Sequence, residues 1–405
     1  MKQKIIIIGG GAAGFFSAIT IAENNPEMDV IILEKGNNIL QKVKVSGGGR
    51  CNVTHACFTP HELVEYYPRG KKELLGPFHQ FMTGDTMEWF ENRGVPLKIE
   101  DDNRVFPVSN TSQTIVDCLM NNAKEAGVVI ELNQRVNSIS KRGPQYKIKT
   151  NENDFIADKL LIASGSNHNI WELIAGLGHK IIAPVPSLFT FKIFDKRITE
   201  IPGISVPNAT ITLLDSSFES RGPLLITHWG LSGPAVLKLS AFGALFLAEK
   251  NYQYEVKVNW LSKTFDDAFC DLKTIKSKMP KKQIRLSSEY DEIPRRLWEK
   301  LVAASDIKSE QRWADVSNKQ LEKLANQITN SNFKAEGKTT FKEEFVTAGG
   351  VDLKEINFKR FESKLHRNLF FAGEILNIDA VTGGFNFQNA WTGAYIAGKA
   401  IAESR

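Results

Sequence analysis

The chain of 405 residues carries 51 Lys and Arg against 46 Asp and Glu, a formal charge of +5, with 42% hydrophobic and 24% charged residues. This balance excludes a disordered chain, and the length exceeds what one hydrophobic core fills, so two or three structural units are expected. The cysteines (Cys51, Cys57, Cys118, Cys270) are too sparse for a disulfide framework, no unbroken basic block points to nucleic acid, and no apolar stretch reaches the roughly 20 residues of a membrane span.

Met1-Lys2-Gln3-Lys4 and the isoleucines after them open like a signal peptide, but glycines interrupt the run before a usable apolar region forms, so a cytoplasmic protein is expected. Lys4 to Ile8 reads as a strand buried on both faces, because it lacks polar alternation. It runs into Gly9-Gly10-Gly11-Ala12-Ala13-Gly14, and Phe15 to Asn24 continues as a helix. Gly9 permits a tight turn, Gly11 lets a pyrophosphate approach the backbone, and Gly14 lets helix and strand pack closely, with the helix N–H groups facing the phosphates. A second strand, Val30 to Leu33, delivers Glu34, the carboxylate expected on an adenosine ribose.

Lys42 to Asn52 reads as a glycine-rich loop, Ser46-Gly47-Gly48-Gly49-Arg50-Cys51-Asn52, whose backbone N–H groups, with Arg50 and Asn52, suit a phosphate or a flavin edge. Cys51, His55, Cys57 and His61 could be taken for zinc ligands or, at Cys51 and Cys57, a redox pair; the spacing fits neither well, and no metal is expected. Val128 to Leu132 is strand-like. Ser187 to Leu214 shows short β-rich runs with Pro202, Gly203 and Pro207 at turns, and Tyr252 to Trp260 alternates as a strand. Asp266 to Ile328 turns charged and leucine-containing, as solvated helices do. His228, in a glycine-bounded turn, is a weak acid–base candidate, as is Arg50; Trp171, Trp229 and Trp391 suit either a pocket or a core.

At the far end, Leu369 to Glu374 reads as a buried strand, and Asp379 to Asn386 leads into a helix with small residues at Ala390, Gly393, Ala394, Ala397 and Ala400. Its N-terminus at Gly383, Gly384 and Phe385 would aim positive partial charge at a flavin pyrimidine. A returning strand and helix are what FAD proteins use and NAD domains lack.

These residues resemble a family of bacterial FAD-containing oxidoreductases that includes aminoacetone oxidase-like and bile-acid 3-oxo-steroid reductase-like members. The matching blocks are Ile8 to Gly14, Ser46 to Thr54, Arg104 to Pro107, Thr227 to Pro234, Val346 to Val351 and Gly373 through Gln388. The resemblance implies an α/β fold: a Rossmann-like FAD-binding domain of glutathione-reductase type (1–186 and 342–405), an inserted β-barrel-like domain (187–261 and 330–341) and a helical subdomain (262–329). It also places Gly9, Gly11, Gly14, Glu34, Lys35, Lys42, Ser46, Gly48, Gly49, Arg50, Val136, Ser164, Gly165, Gly373, Glu374, Asp379, Gly384, Phe385, Asn386 and Gln388 beside FAD, with Val136 at the adenine. Phe385 and Ala380 stand where many relatives carry Tyr and Gly, which removes a phenol from that position.

The expected activity is FAD-dependent hydride transfer at flavin N5 with a small amine or unsaturated ketone. With one dinucleotide motif visible, NAD(P)H as a transient donor and oxygen as acceptor both stay open. An FAD-dependent tRNA-modifying enzyme and a non-catalytic flavin-holding module are the alternatives. A small-molecule substrate is expected, with no nucleic acid and no membrane partner.

Overall fold

The computed structural model describes residues 2–339 and 346–403. Two compact units emerge: the first takes Met1–Pro184 and Thr347–Arg405, the second Val185–Val346. The domain boundary expected at 341/342 lies outside the described residues.

The first unit is a Rossmann-like fold around a parallel sheet. Strand β1 (Lys4–Ile8) lies between β2 (Asp29–Leu33) and the strand Lys159–Ile162, parallel to both. This central place explains its unalternating sequence, since Ile5, Ile6, Ile7 and Ile8 are all buried. Val129–Glu131 flanks β2, and the returning strand Leu369–Phe371 pairs in parallel with Lys159–Ile162. A short antiparallel pair, Ile356–Asn357 with Glu362–Ser363, finishes that edge. The returning strand stops at Phe371 and does not reach Glu374 as the sequence suggests, because Gly373 adopts φ +76° and turns the chain.

Helix α1 (Ala12–Asn24) packs against α2 (Phe385–Glu403), so the two ends of the chain are side by side. A Cβ on Gly398 would lie 2.8 Å from Thr20 Cβ, and this glycine makes the close approach. Gly393, expected on the same stripe, instead faces the Phe361 ring. Side chains fasten the pair at its far end: Asn25 Nδ2 donates to the Ala402 carbonyl at 3.0 Å, and Lys399 Nζ to Asn24 Oδ1 at 2.7 Å.

The second unit is a closed six-stranded antiparallel barrel with a helical excursion. Its strands are β3 (Thr190–Ile193), β4 (Ser205–Leu213), β5 (Glu219–Thr227), β6 (Gly230–Ser232), β7 (Gln253–Asn259) and β8 (Ser331–Thr339), ordered β3-β6-β5-β4-β7-β8. Along β7 the alternation drives Tyr254, Val256 and Val258 inward. Pro207, expected at a turn, lies inside β4; the register shifts between Val206 and Ala209, and this bulge accommodates a residue without an N–H. The apolar stretch 231–248 forms helices Pro234–Phe242 and Ala244–Glu249, and no helix among the described residues is long and apolar enough to cross a membrane. Helices Phe265–Lys278, Arg295–Ala303 and Asn318–Thr329 send Leu272, Leu297, Leu301, Leu321 and Ile328 into the barrel's hydrophobic cluster.

Candidate functional site

The glycine turn after β1 is built by close contacts. A Cβ on Gly9 (φ +116°) would sit 2.5 Å from the Ala163 carbonyl oxygen, and one on Gly14 only 1.9 Å from the Gly9 carbonyl oxygen. By contrast, a Cβ on Gly11 would meet nothing within 4 Å. Helix α1 begins there, through Ala12 and Ala13, with no side-chain cap and no acid in its first turn, so its leading N–H groups and positive partial charge face outward beside Gly11. Glu34 receives the Gly10 N–H on Oε2 at 2.9 Å and the Gly36 N–H on Oε1 at 3.0 Å, which fixes its carboxylate against the same turn. Lys35 is exposed, while buried Val136 follows Gln134, whose N–H reaches the Glu34 carbonyl at 2.8 Å.

The segment from Lys42 begins as helix and not as the loop the sequence suggests, the Lys44 N–H bonding the Leu40 carbonyl at 3.0 Å. The helix breaks at Ser46, after which Gly47, Gly48 and Gly49 take φ of +58°, +67° and +83°. Gly47 is sterically required, since a Cβ would lie 2.9 Å from the Asn52 nitrogen, whereas Gly48 and Gly49 face open space. Lys42 pairs with Glu374, and a Cβ on Gly165 would come within 3.8 Å of the same carboxylate. Arg50 lies 3.9 Å over the Phe106 ring and bonds Glu100 at 2.7 Å. Cys51 is buried, and burial pushes its thiol up to about 12, so it is a protonated core residue and not a reactive one.

The start of α2 is fastened from several sides. A Cβ on Gly384 would sit 2.5 Å from the Thr54 carbonyl oxygen, and Gly383 (φ +129°) passes close to His55 and to the Phe385 ring. The Phe385 ring stacks on Tyr66 at 4.1 Å and on His55 at 4.5 Å, and Tyr67 Oη donates to the Phe385 carbonyl at 2.6 Å. Asn386 closes its side chain on the backbone of Ala380, accepting at 3.0 Å and donating at 3.1 Å. Buried Asp379 forms an ion pair with Arg69. Gln388 is buried, with Oε1 accepting from Thr54 and Thr86 and Nε2 donating to Thr392, so its amide serves the protein interior. A Cβ on Gly373 would touch Ala13 Cβ at 3.3 Å and Ala390 Cβ at 3.8 Å, which places the return of the chain against the first glycine turn.

Buried polar atoms without partners among the described residues include, in this unit, Ser164 Oγ, Asn52 Oδ1, His55 Nδ1, Thr83 Oγ1, Arg93 Nε and both amide atoms of Asn389, and in the second unit Ser220 Oγ and Tyr254 Oη. Asn389 escaped the sequence reading because nothing in its spacing separates it from the helix's other polar residues. Such atoms call for a polar ligand or water.

Other candidates lie elsewhere. His228 is exposed in the β5–β6 turn of the second unit, next to Trp229, which is 48% exposed. Trp171 and Trp391 are core residues whose indoles donate to the carbonyls of Ile375 and Val53. Of the Cys–His quartet, Cys51 and Cys57 are buried free thiols, His55 is in the ring stack and His61 faces His79. Among the described residues no group of three His, Cys, Asp or Glu is arranged to hold a metal.

These features fit FAD: Gly11 and the first turn of α1 would hold the diphosphate, Glu34 the adenosine ribose, and the Gly48–Gly49 turn with Ser164 and the α2 start the remainder. The family described as HI0933-like protein Rossmann domain matches residues 3–400. Among curated proteins, the 3-dehydro-bile acid delta(4,6)-reductase of Clostridium scindens is 27% identical, covering 99% of both chains. A ribosomal RNA dihydrouridine synthase of Haemophilus influenzae is 28% identical, covering 98% of both. In fold, the chain is similar to a 3-ketosteroid delta1-dehydrogenase from Sterolibacterium denitrificans, with a TM-score of 0.52 at 10% identity over the whole of both chains.

Proposed function

The chain belongs to the HI0933-like Rossmann family, and from that premise we propose that it is an FAD-dependent reductase that saturates a carbon–carbon double bond conjugated to a carbonyl. The observation that carries the FAD assignment is the meeting, in one unit, of the Gly9–Gly14 turn, Glu34 and the start of α2. The reaction class is supported by the two kinds of curated relative, whose names both describe hydrogenation of a C=C bond: a steroid delta(4,6) bond beside an oxo group in one, the uracil double bond in the other.

Bound FAD supplies a hydride at N5. The protein's part is to orient the double bond, exclude water and provide a proton for the second carbon. The α2 N-terminus, with Gly383 and Gly384 in positive φ, would present partial positive charge to bound FAD. The position filled by Phe385 carries no phenol, but Tyr66 stacks on that ring, and burial raises its pKa above the usual 10, so it stays protonated at neutral pH. In this reading the Tyr66 hydroxyl is the proton source, and the electrons come from a transiently docked NAD(P)H.

The test is an anaerobic titration. NADH or NADPH bleaches the flavin band, and a 3-oxo-4,6-diene steroid or a uridine-containing RNA then restores it. Bleaching by a small amine, with none by either nicotinamide, sinks the reading.

A further inference from the structure

We propose that the basic face of the helical excursion in the second unit binds the phosphodiester backbone of RNA. The inference rests on the reductase reading, because it identifies the carrier of a reducible pyrimidine.

Between Leu272 and Ser288 the sequence contains Lys273, Lys276, Lys278, Lys281, Lys282 and Arg285 and no acidic residue. Uncharged residues, among them Ile275, Met279 and Ile284, separate most of these cations, so no unbroken block signals them; folding brings them together. Backbone bonds run from Ile284 to Gln311 at 3.1 Å, Trp313 to Lys282 at 3.0 Å and Ala314 to Pro280 at 2.9 Å. Arg312 therefore lies beside Gln283 in an antiparallel bridge, adding its charge to those of Lys281 and Lys282.

The frame beneath is buried and hydrogen-bonded. Leu272, Ile275, Ile284 and Trp313 are buried, Trp298 Nε1 donates to the Ile284 carbonyl at 2.8 Å, and Trp313 Nε1 to Ser287 Oγ at 2.9 Å. The charges stand outward. Lys281, Lys282, Lys308 and Arg312 are exposed and have no ion-pair partner among the described residues. Neutralisation is partial: Glu289 lies 3.8 Å from Lys278, Glu299 takes Arg285 at 3.1 Å, and on the neighbouring segment Asp306 is paired with Lys323 while Glu310 and Asp315 are the other acids.

A surface rich in uncompensated cations on such a frame suits a polyanion whose charges are regularly spaced. Leu286 is the exposed large apolar residue within this stretch, too little for insertion into a lipid surface. No exposed aromatic among the described residues accompanies the cations, so the surface tracks backbone and does not read bases.

Filter binding of the FAD-loaded full chain to protein-free ribosomal RNA across a salt series tests this. The triple variant Lys281→Ala, Lys282→Ala, Arg312→Ala is expected to bind about tenfold more weakly at roughly 0.1 M salt and to lose about two from the slope of log affinity against log salt. A control variant, Lys141→Ala with Lys149→Ala, keeps the slope. Flavin content and melting temperature, unchanged in both, show that the fold is intact. Absence of RNA binding by the parent chain, an unchanged slope in the triple variant, or a preference for phosphatidylglycerol vesicles overturns the proposal. None of these results touches the reductase reading, which the anaerobic flavin titration decides.

Discussion

Gly11 and Gly14 are three residues apart in one motif, yet they make opposite demands, and replacing each by alanine separates cofactor binding from folding. At Gly14 the new Cβ would be 1.9 Å from the Gly9 carbonyl oxygen, well inside the roughly 3.3 Å at which carbon and oxygen touch. The obstacle is backbone, so β1 and α1 must separate, at a cost of about 3 kcal/mol or more. At Gly11 the backbone is extended (φ −97°, ψ −169°) and the added methyl meets no protein atom within 4 Å, so the loss is that of a poorer helix cap, below about 1 kcal/mol. The same methyl holds a phosphate away from the α1 amides. Losing one charge-assisted hydrogen bond, about 1.5–3 kcal/mol, weakens FAD binding about tenfold to a hundredfold. Melting of the flavin-free proteins and quenching of FAD fluorescence measure the two effects. Gly11→Ala with parental FAD affinity, or Gly14→Ala with parental melting, refutes the assignment.

Arg69→Met removes the partner of buried Asp379 and should cost about 3 kcal/mol in urea unfolding, with reduced flavin retention because residues 379–384 lead into α2. With an Ellman-type reagent, exposed Cys270 should react within seconds, whereas Cys51 and Cys118, whose thiols burial pushes up to about 12 and about 11, and buried Cys57 should wait for unfolding; fast release of more than one thiol contradicts this. His179, fully buried between Glu355 and Ser363, has its pKa lowered chiefly by burial. The unfolded chain therefore takes up this proton first, and stability falls as pH drops below about 6.5 towards the lower folded value. His179→Gln should flatten that acid-side loss in melting curves between pH of about 7.5 and 5; an unaltered slope would count against it.

Much of the first unit could be read in the sequence because its signals are local. Lys4–Ile8, the glycines after it and Glu34 all fall within one short βαβ stretch, and the spacing of small residues foretold α2. What the sequence hid depends on distant pairs. Arg69 finds Asp379, Tyr67 finds the Phe385 carbonyl and Thr54 finds Gln388 across more than 300 residues. No periodicity encodes such partners. The Cys–His quartet, whose spacing suits neither a zinc site nor a redox pair, takes separate surroundings that only the fold reveals: Cys51 and Cys57 are buried free thiols, His55 stacks on Phe385 and His61 faces His79. The basic face was obscured because its cations are scattered among uncharged residues, and only the fold gathers Arg312 beside Gln283 and next to Lys281 and Lys282.

The lateral contact of α1 with α2 has a consequence for synthesis. The first helix leaves the ribosome hundreds of residues before the partner that covers it, while all six strands of the barrel are complete once Thr339 has emerged. The inserted unit can thus close while the nascent chain is still attached, and the nucleotide cradle is finished only after the start of α2 at Phe385 has emerged. Flavin uptake is accordingly a late event in the protein's life, and a chain cut before Gly383, without α2, should keep an intact barrel and show no colour.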